Sequence, residues 1–171
     1  MQLAQPPSNM PHTPTLQNQM PLFYTQHSTN TYIDCWTDGS FQGPSHGGLG
    51  YVIKTGTTLL CSGSKPADAI SAFHAEALAM LYGMTKVLYL GTQACIFHTD
   101  SMELLQSLFT PHASLISCRH RRAWSVIMQI RDLISQHPQF AFTHTNRGFN
   151  YEADHLARTA RVQRACYEST L

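Results

Sequence analysis

The sequence predicts an α/β domain built on a five-stranded mixed sheet, three antiparallel strands followed by two parallel ones, with helices packed on both faces. Three observations predict it. Three strand-like runs follow one another between residues 31 and 64 with only short turns between them, the pattern of an antiparallel meander. Apolar residues then change to a three-and-four spacing over 69–90, the period of an amphipathic helix. From there strand-like and helix-like segments alternate, and a strand that returns after a helix runs parallel to its partner through a right-handed crossover.

The elements follow in order. TYIDCWTD (31–38) is rich in β-branched and aromatic residues and stops at Gly39-Ser40, so it reads as a strand. FQGPSHGG (41–48) is a glycine-rich turn, GLGYVIKT (48–55) a second strand, and TTLLCSGS (57–64) a third after a tight turn at Gly56. In 69–90, Phe73, Ala77, Met80, Leu81, Met84 and Leu88 form one apolar stripe, and Gly91 ends the helix. QACIFHTD (93–100) is the fourth strand, 101–109 a short helix and 111–117 a loop. A helix over 121–136 stops before Pro138. QFAFTHT (139–145) is the last strand, and a final helix runs from Asn150 to about Cys166.

The 171 residues, 43% of them hydrophobic, suffice for one domain with one core. Residues 1–30, rich in Pro, Gln, Asn, Ser and Thr, are expected to be a flexible lead, 31–166 the domain and 167–171 a short tail. No apolar run approaches ~20 residues. The first residues lack a positive start and an apolar stretch, so secretion is not expected and the compartment is intracellular, cytoplasmic or nuclear. Cys35, Cys61, Cys95, Cys118 and Cys166 are scattered without a CxxC pair and read as free thiols.

Net charge is +1, but its distribution is uneven: residues 1–118 sum to −3, and 119–171, which hold every arginine, to +4. A basic C-terminal third suits phosphate contact. The ten acids are few enough to place one by one. Asp38 ends the first strand and Asp100 the fourth. If those strands are parallel neighbours ~4.8 Å apart, their carboxylates can share a cation at the carboxyl edge of the sheet. Glu76 lies on the stripe of Phe73 and Met80, where a carboxylate is costly unless it binds something. Asp154 opens the final helix. Four converging acids would repel, and two magnesium ions would relieve that repulsion while activating water and stabilising the leaving oxygen.

TDGS (37–40), AEALA (75–79), TDS (99–101) and NRGFNYEADHLAR (146–158), in this order and on these elements, resemble type 1 ribonuclease H. The spacing and the N-x-x-x-A-D-x-L-A-R tail are closest to the ribonuclease-H-like domains of plant proteins and non-LTR retroelements. The resemblance covers roughly residues 31–165. It implies that Asp38, Glu76, Asp100 and Asp154 hold two Mg²⁺ ions, with Mn²⁺ able to replace them. It implies that His144 assists proton transfer or product release, a role suited to a group titrating near neutrality. It places Gly39 and Ser40 at the minor groove of an RNA–DNA hybrid, Ser71 on a DNA-strand phosphate, and Asn150 four residues before the last acid. Arg147 is a candidate for phosphate at the last loop, and Arg119-His120-Arg121-Arg122 for a remnant of a basic insert. The chain departs from the family's bacterial members at Ala72 and Met102, where they carry asparagine and glutamine. Hybrid selectivity is therefore less firmly implied than metal binding.

Of the remaining side chains, His98 shares the face of Asp100 and reads as a hydrogen-bonded core histidine. Trp36 is expected to pack beneath the site, and His74 and His155 to lie on the surface. Trp124 is expected in the core. The expected function is Mg²⁺-dependent cleavage of the RNA strand of RNA–DNA hybrids. The alternative is a catalytically weak nucleic-acid-binding module derived from a retroelement reverse transcriptase.

Overall fold

The structure, a computed structural model, describes residues 32–91, 94–111 and 121–170. The predicted flexible lead, most of the 111–117 loop, Arg119, His120 and Cys118 lie outside the described residues.

Strands β1 (Ile33–Phe41), β2 (Gly47–Thr55) and β3 (Thr58–Ala67) form the antiparallel meander. Helix α1 (Ala72–Tyr89) leads to β4 (Cys95–Thr99), which pairs parallel to β1. Helix α2 (Met102–Phe109) follows. A 3₁₀ turn (Arg121–Ala123) opens α3 (Trp124–Gln136), and β5 (Phe140–His144) pairs parallel to β4. Helix α4 (Tyr151–Gln163) then crosses to the opposite face. The sheet has six strands in the order β5-β4-β1-β2-β3-β6. The sixth, β6 (Tyr167–Thr170), corrects both the five-strand count and the expected tail. It pairs antiparallel to β3, and Glu168 forms an ion pair with Lys86 of α1. Its residues carry no apolar alternation because an edge strand is held chiefly by its backbone ladder.

Strand alternation splits the layers. Cys35, Tyr51, Ile53, Cys61 and Phe97 face α1, α2 and α3 and build the core with Phe73, Met80, Met84, Val87, Leu104 and Ile130. Trp124 packs against this cluster, as expected. The other face receives α4, and small residues explain how closely it sits. A Cβ at Gly48 would overlap the Ala157 carbonyl, and one at Gly50 the Ala153 carbonyl. Ala153, Ala157 and Ala160 are buried in that seam. The helix backbone therefore rests almost directly on β2, which is why β2 is buried along nearly its whole length.

Four cysteines are free among the described residues; Cys35, Cys61 and Cys95 are buried and Cys166 is exposed. Among the described residues, no helix is long and apolar enough to cross a membrane.

Candidate active site

Asp38 does not end its strand as expected: β1 continues to Phe41 because β2 keeps pairing with it as far as Gly47. The parallel pairing with β4 stops earlier, at Trp36 opposite His98. Asp38 and Asp100 thus emerge just beyond the shared ladder, where the two strands part. Thr99, the last residue of β4, pairs with His144 of β5, and Ser101 caps α2 through its hydroxyl, 3.2 Å from the Leu104 amide. Asp100 is held between these two fixed points.

Glu76 comes from the second turn of α1. The helix meets β1 closely because Gly39 has no side chain: a Cβ there would overlap the backbone of Ala75 and Glu76. Ser71 caps α1, its hydroxyl accepting from the His74 amide at 3.0 Å. Oxygens of Asp38, Glu76 and Asp100 all lie within 4.8 Å of one another. Glu76 Oε2 is buried without a hydrogen-bond partner, although the Gly39 amide reaches the carboxylate. Asp38 is itself buried.

These charges raise one another's proton affinity. The Asp38 carboxyl is pushed up to about 8, first by burial and then by Asp100 and Asp154, while Arg147 and Arg158 pull it down. Glu76 lies well above the usual carboxylate range, through burial first and then Asp38 and Asp100. Three clustered hard oxygen donors, one with an orphaned buried oxygen, fit a divalent cation such as Mg²⁺ or Mn²⁺.

Asp154 stands outside the tight group of three. Its carboxylate pairs with Arg158 one turn along α4 at 2.8 Å, close enough to Asp38 to be felt there. Arg147, whose side chain is 85% exposed, donates from Nε to Asp100 Oδ2 at 3.1 Å. That contact raises the guanidinium's proton affinity. His144 is exposed, with its ring Nε2 3.2 Å from the Asp100 carbonyl oxygen.

The structure places Asn150 elsewhere than on substrate. It is 1% exposed, and its Nδ2 donates to the Thr37 carbonyl at 3.1 Å and to Asp38 Oδ1 at 3.2 Å. It serves to hold Asp38. The Ser40 hydroxyl accepts from Arg161 Nε at 2.9 Å, a partner the sequence did not single out. His98 is hydrogen-bonded as expected but half-buried, and Trp36 lies beside it. Both point to the α4 face, half-buried, stacked at 4.5 Å, with His98 Nε2 2.7 Å from Asp34 Oδ1. His98 therefore pairs with Asp34 rather than lying in the core. Trp36 packs on His98. His74 is half-buried rather than free on the surface: its Nδ1 accepts from the Ile70 amide at 3.3 Å, and burial lowers its proton affinity. His155 is exposed, as are Arg121 and Arg122.

The reverse transcriptase-like family model matches residues 36–160. No protein with a curated description matches the chain in sequence. Among solved structures, ribonuclease H1 from the halophilic archaeon Halobacterium salinarum aligns with a TM-score of 0.67 at 20% identity, over 78% of this chain and 99% of its own. LC11 ribonuclease H1, isolated from compost and solved with an RNA/DNA hybrid, gives 0.66 at 19% identity over 77% of this chain and 97% of its own. The protease-reverse transcriptase of prototype foamy virus gives 0.63 at 22% identity, over 80% of this chain and 22% of the viral one. The family match spans most of the chain and the fold agrees with it: the protein belongs to the reverse transcriptase-like family and is a type 1 ribonuclease H-like domain.

Proposed function

We propose that this domain is a Mg²⁺-dependent endonuclease that hydrolyses the RNA strand of RNA–DNA hybrids. The convergence of Asp38, Glu76 and Asp100, with oxygens within 4.8 Å, carries the reading. Two hydrogen-bonded relationships support it: Asn150 fixes the Asp38 carboxylate, and the β5 ladder fixes Thr99, the residue before Asp100. Divalent ions bound by these acids and Asp154 would lower the pKa of the attacking water and neutralise charge at the scissile phosphate and leaving 3′ oxygen. Arg147, exposed at the mouth, supplies a guanidinium to a phosphate oxygen. His144, exposed beside Asp100, can hold or pass a proton near neutral pH. The solved ribonuclease H1 that carries a hybrid supports the substrate class.

The test is a labelled hybrid incubated with the protein and Mg²⁺, beside the Asp38→Asn variant. Cleavage of the RNA strand that the variant loses is expected. No cleavage, or equal cleavage by both proteins, overturns the proposal.

A second reading is favoured by Ala72 and Met102, both exposed near the site where polar groups would read the substrate. It is a nucleic-acid-binding module of retroelement origin with weak catalysis. It predicts salt-dependent hybrid binding that Asp100→Asn leaves unchanged and no measurable turnover.

A further inference from the structure

Arg161 sits on α4 seven residues after Asp154, two turns or ~10.5 Å along the helix. Ser40 sits two residues after Asp38 on the same face of β1, ~7 Å further along. The two rows run side by side because Gly48 leaves no room between β2 and the Arg161 backbone. At their far end Arg161 Nε donates to the Ser40 hydroxyl at 2.9 Å, and its Nη1 donates to Gln42 Oε1. Ser40 is half-buried and Gln42 exposed.

A guanidinium can only donate. Ser40 Oγ is therefore held as an acceptor, which leaves its single O–H to point outward as a donor. Gln42 Oε1 is likewise taken, which leaves its NH₂ group as the free end. The remaining guanidinium N–H groups are donors as well. Ser40 and Gln42, which could present mixed polarity, thus join the guanidinium in a donor-rich edge further along β1 from Asp38. The minor-groove side of a nucleic-acid duplex is rich in acceptors: purine N3, pyrimidine O2 and, in RNA, the ribose 2′-oxygen.

Resting on the hybrid-nuclease reading, we infer that Arg161 is a positioning residue that sets Ser40 and Gln42 as hydrogen-bond donors to the minor-groove edge of the substrate. Its contribution is to binding rather than to the reacting atoms, because Arg161 touches neither the three clustered acids nor His144.

The experiment measures hybrid affinity by fluorescence anisotropy in an Asp38→Asn background, so that it reads out whether or not the protein cleaves. Arg161→Ala and Arg161→Lys are compared with Ser40→Ala, Gln42→Ala and the Arg161→Ala/Ser40→Ala double variant over a range of salt concentrations. Arg161→Ala is expected to weaken binding roughly tenfold, the size of one charge-assisted hydrogen bond. Lysine, which lacks the fork, should rescue little. The double variant should be no weaker than the worse single one, and the salt slope should be unchanged. Additive losses, or a slope reduced by about one unit as for a direct phosphate contact, overturn the inference. Ser40→Ala leaves the helix seam untouched and gives the same readout if Arg161 variants fold poorly. Wild-type affinity in Ser40→Ala would also overturn it. Loss of cleavage in the parent protein with these effects intact would instead count against the hybrid-nuclease reading alone.

Discussion

The side-chain amide of Asn150 donates to Asp38 Oδ1 across 112 residues of chain, and the same nitrogen holds the Thr37 carbonyl beside it. One buried group at the N-terminal cap of α4 thereby locks the backbone and the carboxylate of β1 together. Asn150→Ala removes both bonds in a buried setting. It should destabilise the protein by about 1–3 kcal/mol and slow hybrid cleavage by roughly 10–100-fold, the usual cost of losing a group that orients a ligand. Urea melts and turnover measured together check this, and undiminished turnover would mean that Asp38 is held by other means.

Proton affinity in the cluster sets a pH dependence of stability. The folded-state pKa of Asp38 is raised to about 8 from an ordinary 3.8, and Glu76 is raised as well. Between about 4 and 8 the folded state keeps a proton that the unfolded state has lost, so unfolding releases it. Without divalent ions, stability should fall as pH rises through that window, by up to about 1.4 kcal/mol per pH unit. Urea melts in EDTA at pH 5 and pH 8 measure it. Asp38→Asn should flatten the slope and be more stable than wild type at pH 8.

Magnesium should act in the opposite sense. The carboxylates must be deprotonated to hold a cation, so binding releases protons and strengthens with pH. At an ion concentration a hundred times its dissociation constant, the gain is about 2.7 kcal/mol. The rise in Tm on adding Mg²⁺ should be larger at pH 8 than at pH 5, and EDTA should reverse it. Glu76→Gln should shrink it; an unchanged rise in that variant would place the ion elsewhere.

The seam between β2 and α4 yields a fourth expectation. Gly50→Ala drives a methyl group into the Ala153 carbonyl, and overpacking of this kind costs about 1–3 kcal/mol. Asp154 is the next residue, so cleavage should fall with stability. Gly56 is the control: its φ of 56° suits the left-handed turn, and a Cβ would meet nothing within 4 Å. Gly56→Asn should cost little, since asparagine tolerates that backbone. Equal melting temperatures for the two variants would contradict the close approach of α4.

Much of this was legible in the sequence, for physical reasons that can be stated residue by residue. Glu76 interrupts an apolar helical stripe, and Asp38 and Asp100 stand at the carboxyl ends of strand-like runs; these are local signals. The meander and the crossovers follow from the switch of period at Ala69. The overrun of β1 past Asp38 was hidden because Gly39-Ser40 reads as a strand end and Phe41 opens a glycine-rich run, and only pairing with β2 keeps Gly39 to Phe41 extended. Asn150 and Arg161 act through partners more than a hundred residues away. In sequence they are a polar residue at a helix start and one arginine among several. The α4 seam was hidden for a related reason, since Gly48 and Gly50 reveal their purpose only against the backbone that lies on them.

Strand β6 has a practical consequence for anyone who trims this protein. Its four residues occupy the hydrogen-bonding flank of β3 from Cys61 to Ser64. A version cut at residue 165 would keep every acid of the cluster yet leave that flank bare. Bare flanks of this kind recruit other chains. Such a shortened protein should cleave in dilute solution and lose soluble material on concentration, a defect of handling that an activity assay alone would miss.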